Sequence, residues 1–261
     1  MWAHVISEVS NKVEQGEHEV PETSALSLHK ERTGEIKLSN SGTHARVLVA
    51  IENRDVTTPD GTKLFRIDKL HIFAQDRLVI LGRNGTGKSQ FMGLIHRAML
   101  GEAAAGIRIS PSVVPGYVDQ GMSQLPVTGS PIEFITSRFD QGDQRSLSLL
   151  AAAGFPPEKQ SKPIAQLSFG QRARLGLLAL RLSQPNFYLL DEPTNHVDIA
   201  GQERLEAEIL AHEATCILVS HDRSFVRALG SRFFVIDRRR LKEVESPEPF
   251  FAQMAAEAGP D

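Results

Sequence analysis

Apolar residues are sparse between Val13 and Ala45 and then arrive in dense runs. From Arg46 the stretches "RVLVAIE", "KLFRIDKLHI" and "RLVILG" read as strands. The last ends in glycine and passes into "KSQFMGLIHRAML", where Phe91, Leu94, Ile95 and Met99 recur at helical spacing. The middle segment "PIEFITSRFDQGDQRSLSLLAAAGF" is polar and helical without strand alternation, which predicts a separate helical lobe over about residues 125–165. Beyond it the pattern predicts a helix carrying Leu175, Leu178, Ala179 and Leu182, a strand over Phe187–Leu190 and a helix over about Gln202–Ala211. A strand over Cys216–Val219, a short helix carrying Phe225, Val226 and Leu229, and a strand over Phe233–Ile236 follow. Uninterrupted apolar strands alternating with helices require a parallel sheet covered on both faces, so the expected class is α/β. Residues 1–45, rich in Glu, Ser and Thr, read as a linker or flexible tail, and residues 246–261 as a C-terminal tail. Each pattern occurs once, so one domain over 46–245 is expected, with no internal repeat.

Composition narrows the classes. A formal charge of −3 over 261 residues leaves no broad basic footprint, and no direct DNA binding is indicated. Cys216, the single cysteine, lies in the apolar run "CILV" and is expected to be a buried structural thiol. No disulfide is possible within one chain, which suits a reducing compartment. No apolar run approaches the roughly 18 residues of a membrane span. A soluble, cytoplasmic protein is expected.

The chemistry concentrates in two places. "GRNGTGKS", Gly82 to Ser89, fits G-x-x-x-x-G-K-[ST] between a buried strand and an amphipathic helix. Glycines at Gly82, Gly85 and Gly87 let backbone N–H groups wrap phosphate oxygens, and the following helix N-terminus adds partial positive charge. Lys88 would reach the terminal phosphates, and the Ser89 hydroxyl would ligate Mg²⁺. Asn84, Thr86 and Gln90 complete the expected nucleotide contacts. The second place is the end of the strand Phe187–Leu190, where Asp191 and Glu192 stand side by side. Adjacent carboxylates repel, so a positive partner is expected. Beside a P-loop that partner is magnesium: Asp191 would hold Mg²⁺ directly or through water, leaving Glu192 to orient or deprotonate the attacking water. The expected cofactors are ATP and Mg²⁺.

Other motifs resemble one family. "LSFGQ", about twenty residues before the acidic strand, resembles the signature of ATP-binding-cassette (ABC) ATPases. "VDQ", ending in Gln120, resembles their Q-loop, and "LVSHDR", with His221, resembles their switch segment. The resemblance covers about Val47 to Val244. It implies a P-loop cassette with a parallel-sheet core, an antiparallel β subdomain and a helical subdomain. It also implies that Gln120 contacts the metal and attacking water, and that His221 touches the γ-phosphate. Ser168, Gly170 and Gln171 would face the γ-phosphate held by another cassette, with Asp198 at the seam. Hydrolysis would then need head-to-tail pairing with a second cassette, either another copy or the missing half of a tandem protein.

"DEPTNHVD", with Asn195-His196-Val197, together with "LSFGQRARL" and "LVSHDRSFV", is similar to the ABC-F subfamily, soluble tandem-cassette proteins that act on ribosomes. That implies a ribosome as partner in preference to a membrane permease. A transporter ATPase subunit and an ATP-dependent clamp with little turnover are the alternatives. On this reading the first forty-odd residues could be the tail of an inter-cassette linker. Three positions depart from the family pattern: Phe169 for a glycine of the signature, Gln90 for a common threonine, and Thr57 or Thr58 where an aromatic ring would stack on adenine. The run Arg238-Arg239-Arg240 reads as a solvated turn between two terminal strands, and Tyr117 as a packing residue.

Overall fold

Two long strands begin the described chain, which in this computed structural model comprises residues 47–195, 199–211 and 213–258. Strand β1 (Val47–Thr57) buries the run Leu48–Ile51 and then Val56, whereas β2 (Lys63–Phe73) buries Phe65, Ile67, Leu70 and Ile72 between more exposed positions. They pair antiparallel from Val47 opposite Phe73 to Thr57 opposite Lys63. Strand β3 (Arg77–Leu81) is apolar after its first residue and is followed by helix α1 (Lys88–Met99). The short β4 (Ile107–Ile109) adds to the free edge of β1, completing an antiparallel layer.

The remaining strands are β5 (Pro115–Val118), β6 (Phe187–Asp191), β7 (Thr215–Val219), β8 (Arg232–Asp237) and β9 (Arg240–Val244). All nine lie in one sheet ordered β4-β1-β2-β9-β8-β3-β7-β6-β5. From β8 to β5 every neighbour is parallel. The antiparallel layer joins this core through β9, which returns antiparallel on β8 and meets β2 at a single parallel pair, Arg66 with Arg240.

Both faces of the parallel core are covered, as the unbroken apolar strands require. Leu78 and Ile80 of β3 point into a cluster with Phe91, Met92 and Ile95 of α1, where Phe65 and Phe91 meet edge to face at 6.2 Å. Val79 and Leu81 point the other way, into a cluster with Leu175 and Leu178 of α5 (Phe169–Leu182). That cluster extends into a helical lobe of α2 (Pro131–Arg138), α3 (Asp143–Ala152) and α4 (Pro157–Gln160). Helix α2 starts sharply because Ser130 and Glu133 form a reciprocal capping box and Pro131 fills the first helical position. Helices α6 (Ile199–Ala211) and α7 (Arg223–Leu229) separate the last strands.

Within residues 246–261, expected as a C-terminal tail, the chain forms helix α8 (Glu248–Ala258). Phe251 of α8 is buried, with the guanidinium carbons of Arg223 and Arg227 at 5.4 and 5.8 Å from its ring centroid. The arginine run Arg238–Arg240 does turn between β8 and β9, with Arg238 and Arg239 both left-handed at φ 44° and 60°. The linker expected over 1–45 lies outside the described residues. No described helix is long and apolar enough to cross a membrane.

Candidate functional site

Strand β3 delivers the chain into the loop Gly82–Gly87, which turns back into α1. Two left-handed glycines make the turn, Gly85 at φ 77° and Gly87 at φ 105°. At Gly87 a Cβ would also lie 2.8 Å from the Leu64 side chain, so the loop rests directly on β2 and only glycine fits. Lys88 folds over the loop and donates from Nζ to the carbonyls of Gly82 (2.7 Å) and Arg83 (3.1 Å). The Thr86 hydroxyl donates to the Arg83 carbonyl at 2.8 Å, bracing the loop from behind. Burial lowers the Lys88 pKa, and the nearby carboxylates of Glu192 and Asp191 oppose that shift.

Asp191 ends β6 and is 2% exposed; Glu192 follows at 6%. Burial raises the pKa of both. For Asp191 the opposing influences are a hydrogen bond from the Ser89 hydroxyl and the charge of Lys88. For Glu192 they are led by His221. The backbone at Glu192 is left-handed, φ 54°, an uncommon state for a side chain of this kind, and its N–H donates to the Val219 carbonyl at 2.9 Å. The Glu192 side chain turns towards His221: Oε2 accepts from the His221 backbone N–H at 3.2 Å, and Oε1 lies 3.3 Å from His221 Nε2. That second approach is close enough for an ion pair with a protonated ring but is not aligned as a hydrogen bond, so Oε1 is a buried acceptor without a donor.

These groups share one cavity of about 530 Å³. Asn84, Gly85, Gly87, Lys88, Ser89, Gln90, Gln120, Asp191, Glu192 and His221 line it together. Gly82 and Thr86 stand behind the wall as supports. The signature residues Ser168, Gly170 and Gln171 are not part of this lining. Instead Ser168 caps α5: its Oγ accepts from the Gln171 N–H at 3.2 Å, and its own N–H donates to Gln171 Oε1 at 3.0 Å. Asp198, with His196 and Val197, lies outside the described residues.

The structure adds residues that motif reading did not place. Asn195, Leu64 and Val219 line the cavity. Of the two candidate adenine positions, Thr58 faces this cavity whereas Thr57 lines a separate depression with Ala105 and Gly106. His221 is held by its neighbour: Asp222 Oδ1 accepts from the N–H groups of Ser224 (2.8 Å) and Phe225 (3.0 Å), capping α7. Asp222 Oδ2 accepts from Gln202 Nε2 of α6 at 2.8 Å. No spacing rule links Gln202 to Asp222. Tyr117 packs as expected, its ring 4.3 Å from that of His96, and Cys216 is fully buried with its thiol pushed up to about 12.

The donor set fits a magnesium ion. Ser89 and Asp191 line the cavity together, and two buried carboxylates with raised pKa face it beside the Lys88 ammonium. No group of three or more His, Cys, Asp or Glu side chains among the described residues could hold a metal. One hydroxyl and one carboxylate suit an ion that keeps waters and substrate phosphates as its other ligands.

The family profile described as "ABC transporter" matches residues 65–195, half of the chain, running from β2 through the P-loop, Q-loop, signature and acidic strand. The chain belongs to the ABC transporter family. Its P-loop cassette is similar to those of ABC-F proteins. Among curated relatives, the ribosome protection protein VmlR of Bacillus subtilis is 28% identical over 240 residues, covering 91% of this chain and 43% of its own. The ATP-binding protein Uup of Caulobacter vibrioides is 34% identical over 194 residues, covering 74% and 31%. The cassette thus spans less than half the length of these relatives. Among solved structures, a dimeric ATP-binding cassette in a post-hydrolysis state bound to ADP and Pi superposes with TM-score 0.61 at 19% identity, over 76% of this chain and 100% of that one. RNase-L Inhibitor superposes with TM-score 0.61 at 21% identity, over 81% and 42%. At these identities the superpositions speak for the fold.

Proposed function

We propose that the cassette hydrolyses Mg-ATP as one half of a head-to-tail pair and belongs to a soluble, cytoplasmic ABC-F-type protein that acts on ribosomes. The observation that carries the hydrolytic reading is Glu192, a buried carboxylate whose Oε1 has no donor and which faces the same cavity as Lys88 and Ser89. The N–H groups of Gly85–Ser89 and the Lys88 ammonium bind the β- and γ-phosphates. Ser89 and Asp191 would hold Mg²⁺, which would supply charge neutralisation on those phosphates. Glu192 takes a proton from water as that water's oxygen bonds to the γ-phosphorus, and the bond to the β–γ bridging oxygen breaks with its electron pair on ADP. Burial raises the proton affinity of Glu192, which makes it a better acceptor in that step. His221 fixes the carboxylate through its backbone N–H and sets its ring beside Oε1. Gln120 faces the same space and is suited to hold the water.

Pairing is supported by where the signature stands. Ser168 begins a helix of 14 residues whose N-terminus lies outside the chain's own phosphate cavity, so it is available to a phosphate on another cassette. The ribosomal role rests on the similarity to VmlR, and whichever partner the whole protein uses acts through this pair. Glu192→Gln should trap ATP. Sedimentation of that variant should show a dimer with ATP, and monomers with ADP or no nucleotide. It should also pellet with ribosomes. A monomer under all three conditions would remove self-pairing, and partition into membranes instead of ribosomes would remove the ABC-F role.

A further inference from the structure

A second cavity, about 740 Å³, adjoins the nucleotide cavity, and Leu64 and Gly85 line both. Its apolar floor includes Leu64, Ile236 and Phe250, and the β8–β9 turn brings Arg238 and Arg239 to its rim. The turn is fixed against β2, because the Arg66 N–H donates to the Arg239 carbonyl at 2.9 Å. Other cations at or beside the rim are already committed. Lys63 pairs with Asp55, Arg83 with Glu257, Arg240 with Asp68 and Lys242 with Asp237. The exposed side chains of Arg238 and Arg239 make no ion pair or hydrogen bond among the described residues; Arg238 acts on Asp237 through its charge and its backbone N–H.

At Thr58 the nucleotide cavity offers a base nothing flat, and the planar His221 ring of the same cavity stands beside Glu192. The Thr58 hydroxyl is bonded to Asp60 and Thr62 in the β1–β2 turn. A nucleotide seated on the loop therefore finds no stacking partner at Thr58, and finds an apolar recess with two uncommitted planar cations next door.

We propose that the base of a nucleotide bound at the P-loop crosses Leu64 into this second cavity and lies against its apolar floor under the guanidinium of Arg238 or Arg239. The proposal rests on the nucleotide-binding reading of the P-loop. A guanidinium is planar, weakly hydrated and stacks on an aromatic face, so it can take the role of an aromatic ring. Stacking is indifferent to the hydrogen-bonding edge of the base, and the site accordingly accepts ATP and GTP alike. The same arginines could instead grip an RNA backbone, but a phosphodiester chain has no use for the apolar floor.

The test is calorimetric titration of the full chain with Mg-ATP, Mg-GTP and Mg-tripolyphosphate, the last being a phosphate ligand without a base. The double substitution Arg238→Ala/Arg239→Ala should weaken ATP and GTP by about tenfold, the scale of one lost stacking contact, and leave tripolyphosphate unchanged. Arg238→Lys/Arg239→Lys keeps the charge without the plane and should behave like the alanine pair. Equal weakening of all three ligands by alanine, with rescue by lysine, would reduce the arginines to a general field and overturn the proposal. Unchanged ATP binding, with loss of binding to a short single-stranded RNA, would assign them to RNA and overturn it too. Lys88→Ala separates the underlying reading: it should lose tripolyphosphate as well as ATP, and retention of both would mean that the P-loop is not the phosphate site.

Discussion

The phosphate loop and the signature turn each open a helix, yet they solve their polar groups in opposite ways. At the signature, Ser168 and Gln171 satisfy each other in a capping box, and the turn is complete without any ligand. At the phosphate loop, Gly87 provides no side-chain cap, Lys88 is folded onto the loop's own carbonyls, and Glu192 Oε1 is buried without a donor. The first end is satisfied within its own turn. The second is unsatisfied and waits for a ligand. If the two ends meet across a pair, as proposed above, the energetic deficit of the joint site lies in one half alone.

The sharpest way to break the comparison is at Glu192. Glu192→Gln should lower the ATPase rate constant by about a thousandfold while leaving the ATP dissociation constant within a few-fold, as expected for a group that acts on the water in the transition state. A steady-state ATPase assay beside equilibrium binding checks both. Next comes Lys88→Ala, which should weaken ATP binding by about a hundredfold, the scale of charge-assisted hydrogen bonds to a phosphate. Titration calorimetry reads it directly.

The signature turn should respond differently. Ser168→Ala removes the cap and should cost about 1 kcal/mol of stability without nucleotide, seen as a fall in Tm of about 2–4 °C. Ser168→Asp keeps a capping oxygen and should restore Tm, but it sets a negative charge where a partner's phosphate would lie, so ATP-dependent pairing stays lost. If Ser168→Asp pairs normally, the turn is structural only.

The smallest effect is in pH. Asp191 and Glu192 have raised folded-state pKa values, so each contributes stability that is full below the ordinary carboxylate range and is lost as pH rises through the raised value. Asp191→Asn/Glu192→Gln should therefore match the wild type in acid and become relatively more stable towards neutrality. Denaturant melts across that range, without nucleotide, measure the difference.

Much of this was legible because some positions leave the chain little choice. Near-complete burial of β3, β6 and β7 leaves little room for polar residues, so "LVIL", "FYLL" and "CILV" announced themselves. The loop Gly82–Ser89 is contiguous, and its glycines are demanded by backbone geometry at Gly85 and Gly87. What stayed hidden depends on closure of the chain over long separations, or on elements too short to show a period. Strands β4 and β5 have three and four residues. Helix α8 was obscured because Phe250 and Phe251 are adjacent and only Phe251 is buried. The tie between Gln202 and Asp222 joins two helices across an intervening strand, and nothing in either neighbourhood announces it.

The left-handed backbone at Glu192 also bears on how this protein could be made more robust. A residue with a Cβ held at φ 54° is disfavoured by roughly 1–2 kcal/mol, and glycine would relieve it. A search that rewards heat resistance alone would be drawn to Glu192→Gly, which also discards a buried carboxylate with one oxygen lacking a donor. The proposed general base would go with it. Selection for endurance and selection for turnover therefore pull this one position in opposite directions, and thermal tolerance should be sought away from the end of β6.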